Sequence, residues 1–337
     1  MKLAFWLLAP GSWLLVHAAV DGTVMNETTG KPQPAAIVTL VQPSATGMET
    51  IGSMKSDAQG KFKFDKDFPA GPALLQAIYE GVLYTQILAP GAPTTDVHVK
   101  VYNTTAKPGV AKVSQHMILI EPSATSLEIG ETFLVENEST TTFQDPVKGS
   151  VQFYLPEAAG GKAKVMINSP GGMPIERAAE KTAVKDVYKV AYPVKPGETR
   201  FDVSYSLPPG DTFASKILHA EGVTRLVTPA SVTIEGEGLE ALGQEPTTKA
   251  HIYNAASAAY SVKITGTGSL RNQEAAAPDE DPGEPQIEEK SARLYSKVVV
   301  DSLPVFDVPL TTRDLVLILA LMILTLGGVL LYRRSAV

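Results

Sequence analysis

Ser56-Asp57-Ala58-Gln59-Gly60-Lys61-Phe62-Lys63-Phe64 is the stretch whose reading decides the fold. Phe62 and Phe64 fall on one side of an extended chain, with Lys61, Lys63 and Asp65 on the other. Side chains alternate faces along a strand, so this spacing predicts a strand with one dry and one wet face. The residues just before it predict a tight turn. Asp57 is placed to accept backbone N–H groups there, and Gly60 takes a positive φ without steric cost.

The same rhythm runs outward on both sides. Ala36, Val38 and Leu40 alternate with Ile37, Thr39 and Val41, apolar on both faces, which predicts an inner strand. Residues 74–88 predict two strands parted by Glu80-Gly81, and Val97, Val99 and Val101 predict a closing one. Short strands at this spacing, without helical periodicity, predict a small β-sandwich over residues 20–105.

Three pieces together carry a family resemblance. They are Val20-Asp21-Gly22-Thr23-Val24-Met25-Asn26, then Thr29-Gly30-Lys31-Pro32 ahead of Ala36-Ile37-Val38-Thr39-Leu40, and then the Ser56 to Phe64 stretch. The region resembles a carboxypeptidase regulatory-like domain, over roughly a quarter of the chain. The resemblance implies a transthyretin-like (prealbumin-type) sandwich, with Asp57, Gly60, Phe62 and Phe64 as the turn and strand of its fold motif. It also implies an accessory role. Peptidase activity is not implied, because in that family the peptidase is a separate domain and no segment here is similar to it. The family's usual glycine before the first inner strand is Ala35 here.

Residues 106–270 predict a second β-rich, sandwich-like domain. Val151, Phe153 and Leu155 alternate with Gln152 and Tyr154 ahead of Pro156. Phe201, Val203, Tyr205 and Leu207 alternate with polar residues ahead of Pro208-Pro209. Each reads as a half-buried strand stopped by proline. Residues 158–185, with Gly160-Gly161 and Pro170-Gly171-Gly172, predict a loop that includes a short helix over 175–185. Strand-like pieces at His251-Ile252-Tyr253 and residues 260–265 complete the region.

The two ends predict a place in the cell. Residues 315–332 form an apolar run without charge, about 27 Å long as a helix, close to the ~30 Å hydrocarbon core of a bilayer. Arg333 and Arg334 follow and favour the cytoplasmic side, leaving residues 333–337 as a short tail. Residues 1–19, positive at Lys2 and then apolar, predict a signal peptide. Residues 271–292 are acidic and carry Pro278, Pro282 and Pro285, which predicts a disordered tether, and 293–314 lead into the membrane. The expected architecture is all-β: two tandem sandwiches, an acidic linker and one C-terminal transmembrane helix, with the bulk extracytoplasmic.

Composition excludes several chemistries. The chain has no cysteine, which removes thiol catalysis, iron–sulfur ligation and cysteine zinc sites. A net charge of −7 without a basic patch argues against nucleic acid. His98, His116, His219 and His251 stand apart, none in the H-x-x-x-H spacing that puts two imidazoles on one helical face. His219-Ala220-Glu221 reads as two titratable groups on one strand face. No serine occupies G-x-S-x-G, and Gly266-Thr267-Gly268 lacks the remainder of a dinucleotide turn. No catalytic, cofactor-binding or metal-binding residue is therefore assigned, and no cofactor. Asn26, Asn103 and Asn137 open N-x-S/T triplets, which are glycosylation acceptors only in a suitable secretory setting.

The expected function is binding: a membrane-anchored, non-enzymatic scaffold of bacterial-envelope type that engages a protein partner. The alternative is polysaccharide binding, because the same fold group includes starch-binding-like sandwiches. Trp6 and Trp13 both lie in the signal, so tyrosines such as Tyr79, Tyr84, Tyr154, Tyr188, Tyr192 and Tyr205 would have to supply the platform.

Overall fold

A computed structural model describes residues 19–44, 47–65 and 71–270. Nearly all of the expected signal peptide, the acidic linker, the juxtamembrane segment, the apolar run 315–332 and Arg333-Arg334 lie outside the described residues. Among those described there is no α-helix, and no helix is long and apolar enough to cross a membrane. The fold is all-β, broken by one 3₁₀ turn at Glu157–Ala159.

The first sandwich is built from β1 (Val20–Asn26), β2 (Lys31–Pro32), β3 (Ile37–Ser44), β4 (Gly47–Lys55), β5 (Lys61–Phe64), β6 (Ala73–Tyr79), β7 (Val82–Leu88) and β8 (Val97–Val101). In one layer β1 pairs antiparallel with β2 and β5 and parallel with β8. The other layer is antiparallel in the order β4-β3-β6-β7. Val24, Leu40, Phe62, Phe64, Leu75 and Val99 fill the space between them. Crowding at the centre explains Gly22. A Cβ there would sit 1.9 Å from the Val97 carbonyl oxygen and 2.8 Å from the Phe62 ring, so only glycine lets β5 and β8 close on β1.

The opening stretch behaves as its spacing demands. Phe62 and Phe64 are buried with ring centroids 6.1 Å apart, while Lys61 and Lys63 face water. Asp57 Oδ1 accepts the N–H groups of Gln59 (2.9 Å) and Lys61 (2.7 Å). Gly60 has φ +72°, and a Cβ on it would meet Pro32, Val24 and Gln33 at 3.0 Å or less. Strand β3 is central in its layer, as expected; Val38 and Leu40 are buried on its inner face, while on the outer face Val41 is buried and Ile37 is 39% exposed.

The second sandwich begins after β9 (Thr104–Thr105) with β10 (Lys112–Pro122), β11 (Leu127–Asn137), β12 (Thr142–Phe143) and β13 (Val151–Tyr154). It continues with β14 (Lys164–Asn168), β15 (Ile175–Arg177), β16 (Glu180–Lys181), β17 (Val187–Val190), β18 (Gly197–Leu207) and β19 (Thr212–Lys216). It closes with β20 (Val223–Thr228), β21 (Thr233–Glu235), β22 (Leu239–Gln244), β23 (His251–Ala255) and β24 (Ala259–Thr265). An eight-stranded sheet, β15-β14-β18-β11-β10-β20-β23-β22, shares one core with two three-stranded sheets, β13-β17-β16 and β19-β24-β21. Phe133, Phe153, Phe201, Leu226 and Val262 pack in that core.

Residues 158–185 are not the loop their glycines and prolines suggest, and 175–185 form no helix. Strand β14 joins the large sheet through β18, with Val165 opposite Val203 and Ile167 opposite Phe201. Val165 and Ile167 are fully buried. Ile175–Arg177 then pairs back onto β14, and Glu180–Lys181 onto β17. Open sheet edges capture this backbone, and their hydrogen bonds outweigh a weak local helical preference.

The two sandwiches touch through polar contacts at their junction. β9 and β12 pair in parallel, and the Tyr84 hydroxyl lies 2.9 Å from Thr142 Oγ1 while donating to the Tyr102 carbonyl at 3.0 Å. The Thr28 hydroxyl donates to the Thr140 carbonyl, and Lys195 Nζ stands 5.2 Å from the Tyr84 ring centre.

Candidate functional site

Four of the five histidines lie among the described residues. His98 is exposed on β8 beside Asp96, at 3.6 Å. His251 Nε2 lies 3.2 Å from the Ala230 carbonyl oxygen and 3.3 Å from Gln244. Neither stands with a nucleophile. Among the described residues no group of three His, Asp or Glu is placed to hold a metal ion.

His116 belongs to a cluster that sequence spacing did not reveal. Its Nε2 is 2.9 Å from Glu131 Oε2, and the Tyr205 hydroxyl donates to Glu131 Oε1 at 2.8 Å. All three side chains are buried, and the imidazole stacks on Phe133 at 4.0 Å. Burial, followed by the Glu131 charge, holds the Tyr205 phenol well above its ordinary pKa, so it stays a donor. The register makes this group. His116 opposes Phe133 across the β10–β11 hairpin, Glu131 lies two residues away on the same face, and Tyr205 follows from β11–β18 pairing. Among the described residues these groups form a carboxylate–imidazole contact buried in the core.

His219 and Glu221 do not share a strand face as their spacing suggests; they lie on the turn between β19 and β20. There they line a cavity of about 200 Å³ with Phe143, Asp145, Lys148 and Gln152. His219 Nε2 sits 3.1 Å from the Gln152 N–H nitrogen and 3.0 Å from its carbonyl oxygen, and Nδ1 is 3.3 Å from Glu221 Oε1. Burial pushes the imidazole below its ordinary pKa, partly offset by Glu221. With both ring nitrogens occupied by the protein, His219 has none left for a bound molecule. It caps the free edge of β13.

The tyrosine platform needed for sugar stacking is also missing among the described residues. Tyr84, Tyr188 and Tyr205 are buried, and Tyr79, Tyr154 and Tyr192 are half-buried. Asn26 and Asn137 are buried as well, each with its side-chain oxygen accepting an N–H two residues on, so both serve turns.

What stands out instead is a surface. On the outer face of β4-β3-β6-β7, Ile37 opposes Ile78, and Ile78 opposes Leu83. These three are 39%, 42% and 44% exposed, and Ile87, on the same face of β7, is 55% exposed. Scattered apolar residues are ordinary on a surface; here three of them form a continuous row across β3, β6 and β7. Asp57, Gly60, Phe62 and Phe64 build the fold on the other side of this sandwich and do not line the face.

No protein-family model matches the chain, and no curated protein matches it. Among solved structures, a variant of an M1 zinc metallopeptidase from Deinococcus radiodurans is similar at 12% identity with a TM-score of 0.26. The match covers 47% of this chain and spans 43% of that one, and at this level it carries no argument about activity.

Proposed function

We propose that this chain is a non-enzymatic binding protein, held at a membrane by residues 315–332 and presenting its sandwiches outside the cytoplasm to a protein partner. The observation that carries the reading is the exposed aliphatic row Ile37–Ile78–Leu83, with Ile87 further along the same face of β7. Burying such a row in a contact releases roughly 25 cal/mol per Å² of apolar surface. Attachment to a membrane raises the effective concentration of weak contacts. The first sandwich is read as a carboxypeptidase regulatory-like domain. The Asp57–Gly60 turn and the close packing at Gly22 support that reading.

The test is a photo-crosslinking residue at Leu83 of the full-length chain in intact cells, with the same residue at His98 as control. The expected result is a defined polypeptide adduct from Leu83 and none from His98. Equal or absent labelling at the two positions would remove the face as a binding surface.

A further inference from the structure

Two buried polar atoms on adjoining residues of the second sandwich have no protein partner. They are His116 Nδ1 and Thr224 Oγ1, and neither makes a hydrogen bond among the described residues. Both residues are buried. Buried donors and acceptors are paired almost without exception, with protein or with ordered water, because an unpaired one forfeits its hydration. Two such atoms on neighbouring residues mark a site.

Register makes them neighbours. β10 and β20 run parallel, with His116 directly opposite Thr224. Residues directly opposite project to the same side of a sheet, here the core side, where His116 meets Glu131 and Phe133. The imidazole is held from two directions. Nε2 lies 2.9 Å from Glu131 Oε2, and one ring face stacks on Phe133 with the planes 15° from parallel. Phe133 belongs to β11, on the far side of β10 from β20, so the other ring face is turned toward Thr224.

We infer that an ordered water molecule binds between His116 Nδ1 and Thr224 Oγ1. Two hydrogen bonds of ~2.8 Å meeting at a tetrahedral angle span about 4.6 Å, close to the ~4.8 Å between neighbouring strands. Water suits the pair because it donates and accepts at once. With Nε2–H donating to the Glu131 carboxylate, Nδ1 is left as an acceptor, and the threonine hydroxyl takes either role. An apolar molecule would leave both atoms unpaired. A buried water with two to four polar partners is a fixed part of a fold.

The site has an entry and a consequence. The cavity lined by His219 and Gln152 also has Val113, near the start of β10, and Glu221, just ahead of β20, in its wall. It therefore lies at the end of the two strands where His116 and Thr224 sit, and water enters from there. The consequence concerns the large sheet. β10–β20 is its one parallel pairing among the described strands, and parallel pairing is slightly weaker per residue. The water extends the chain Tyr205–Glu131–His116 to Thr224, so polar contacts run unbroken across β18, β11, β10 and β20. This role is separate from the binding reading above.

The test is a brief X-ray exposure of the full-length chain in detergent, followed by peptide mass spectrometry. X-rays make hydroxyl radicals from water where the water sits, so a sealed side chain is oxidised only when water lies against it. The expected result is oxidation of His116, while Phe153 and Phe201, buried as deeply, stay unmodified. Thr224→Val has threonine's shape and removes only a hydroxyl that no protein group holds, so it folds, and its melting curve verifies this. It should lower His116 oxidation at least about fivefold by removing one of the water's two anchors, leaving exposed His98 unchanged. Thr224→Cys should do the same, and Thr224→Ser, which keeps the hydroxyl, should match the parent. An unmodified His116 in the parent chain overturns the inference. Oxidation that survives Thr224→Val or Thr224→Cys, or that in the parent extends equally to Phe153 and Phe201, overturns it too.

Discussion

Replacing Ala35 by glycine should stabilise the first sandwich, although removing a methyl group usually does the reverse. Ala35 has φ +59°, in the left-handed region. For an L-residue that conformation costs about 1–2 kcal/mol, because Cβ crowds the following carbonyl. The backbone cannot relax out of it. Ala35 N–H donates to the Ser56 carbonyl at 3.0 Å, Ala36 N–H donates to Ser56 Oγ at 3.0 Å, and Ser56 Oγ donates to the Gln33 carbonyl at 2.8 Å. The Ala35 methyl is exposed, so little burial is lost with it. Glycine enlarges the unfolded ensemble and returns about 0.4–1 kcal/mol of the gain. The net is about 0.5–1 kcal/mol in favour of Ala35→Gly. At about 2–4 °C per kcal/mol for 150–250 residues, the melting temperature should rise by about 1–4 °C. Circular dichroism melts and urea titrations of the full-length chain, with Ala35→Val alongside, would measure it. Valine should lower the midpoint, because a β-branched residue tolerates positive φ worst. Glycine at or below the parent midpoint, with valine unchanged, would refute a left-handed turn at this position.

Phe62→Ala should cost about 3–5 kcal/mol in chemical denaturation, whereas Lys61→Ala on the wet side of the same strand should leave the midpoint within error. His116→Ala should cost about 3–5 kcal/mol, because Glu131 keeps only the Tyr205 hydroxyl in an apolar core; a smaller loss on urea titration would mean water reaches Glu131. Since burial holds His219 below the ordinary 6.5, the unfolded chain binds its proton more readily. The His219 contribution is therefore complete above about pH 6.5 and is lost as the pH falls from there toward the folded value. His219→Gln should flatten that part of the stability–pH curve, and an unchanged slope would show that other groups set it.

Local chemistry was legible wherever neighbours in sequence are neighbours in space. The Asp57–Gly60 turn, the alternation at Phe62 and Phe64, the Glu80-Gly81 hairpin and the strands around Phe153 and Phe201 all rest on contacts within a few residues. The 175–185 segment departs from the expected helix because its conformation is set by the open edges of β14 and β17, which residues within the segment do not encode. His116, Glu131 and Tyr205 escaped for a related reason. Their meeting depends on the register of two strand pairs, and a one-residue slip would send each side chain to the opposite face.

The sequence by itself determined the all-β character of the described residues, the absence of thiol chemistry, and which residues turn and which alternate, because these follow from side-chain type and a period of two. The tertiary structure alone decided which apolar residues stay uncovered. Ile37 and Val38 look equally suited to burial in sequence. Packing of β3 against the β1 layer covers Val38 and leaves Ile37, with Ile78 and Leu83, facing out, and the binding reading rests on that difference.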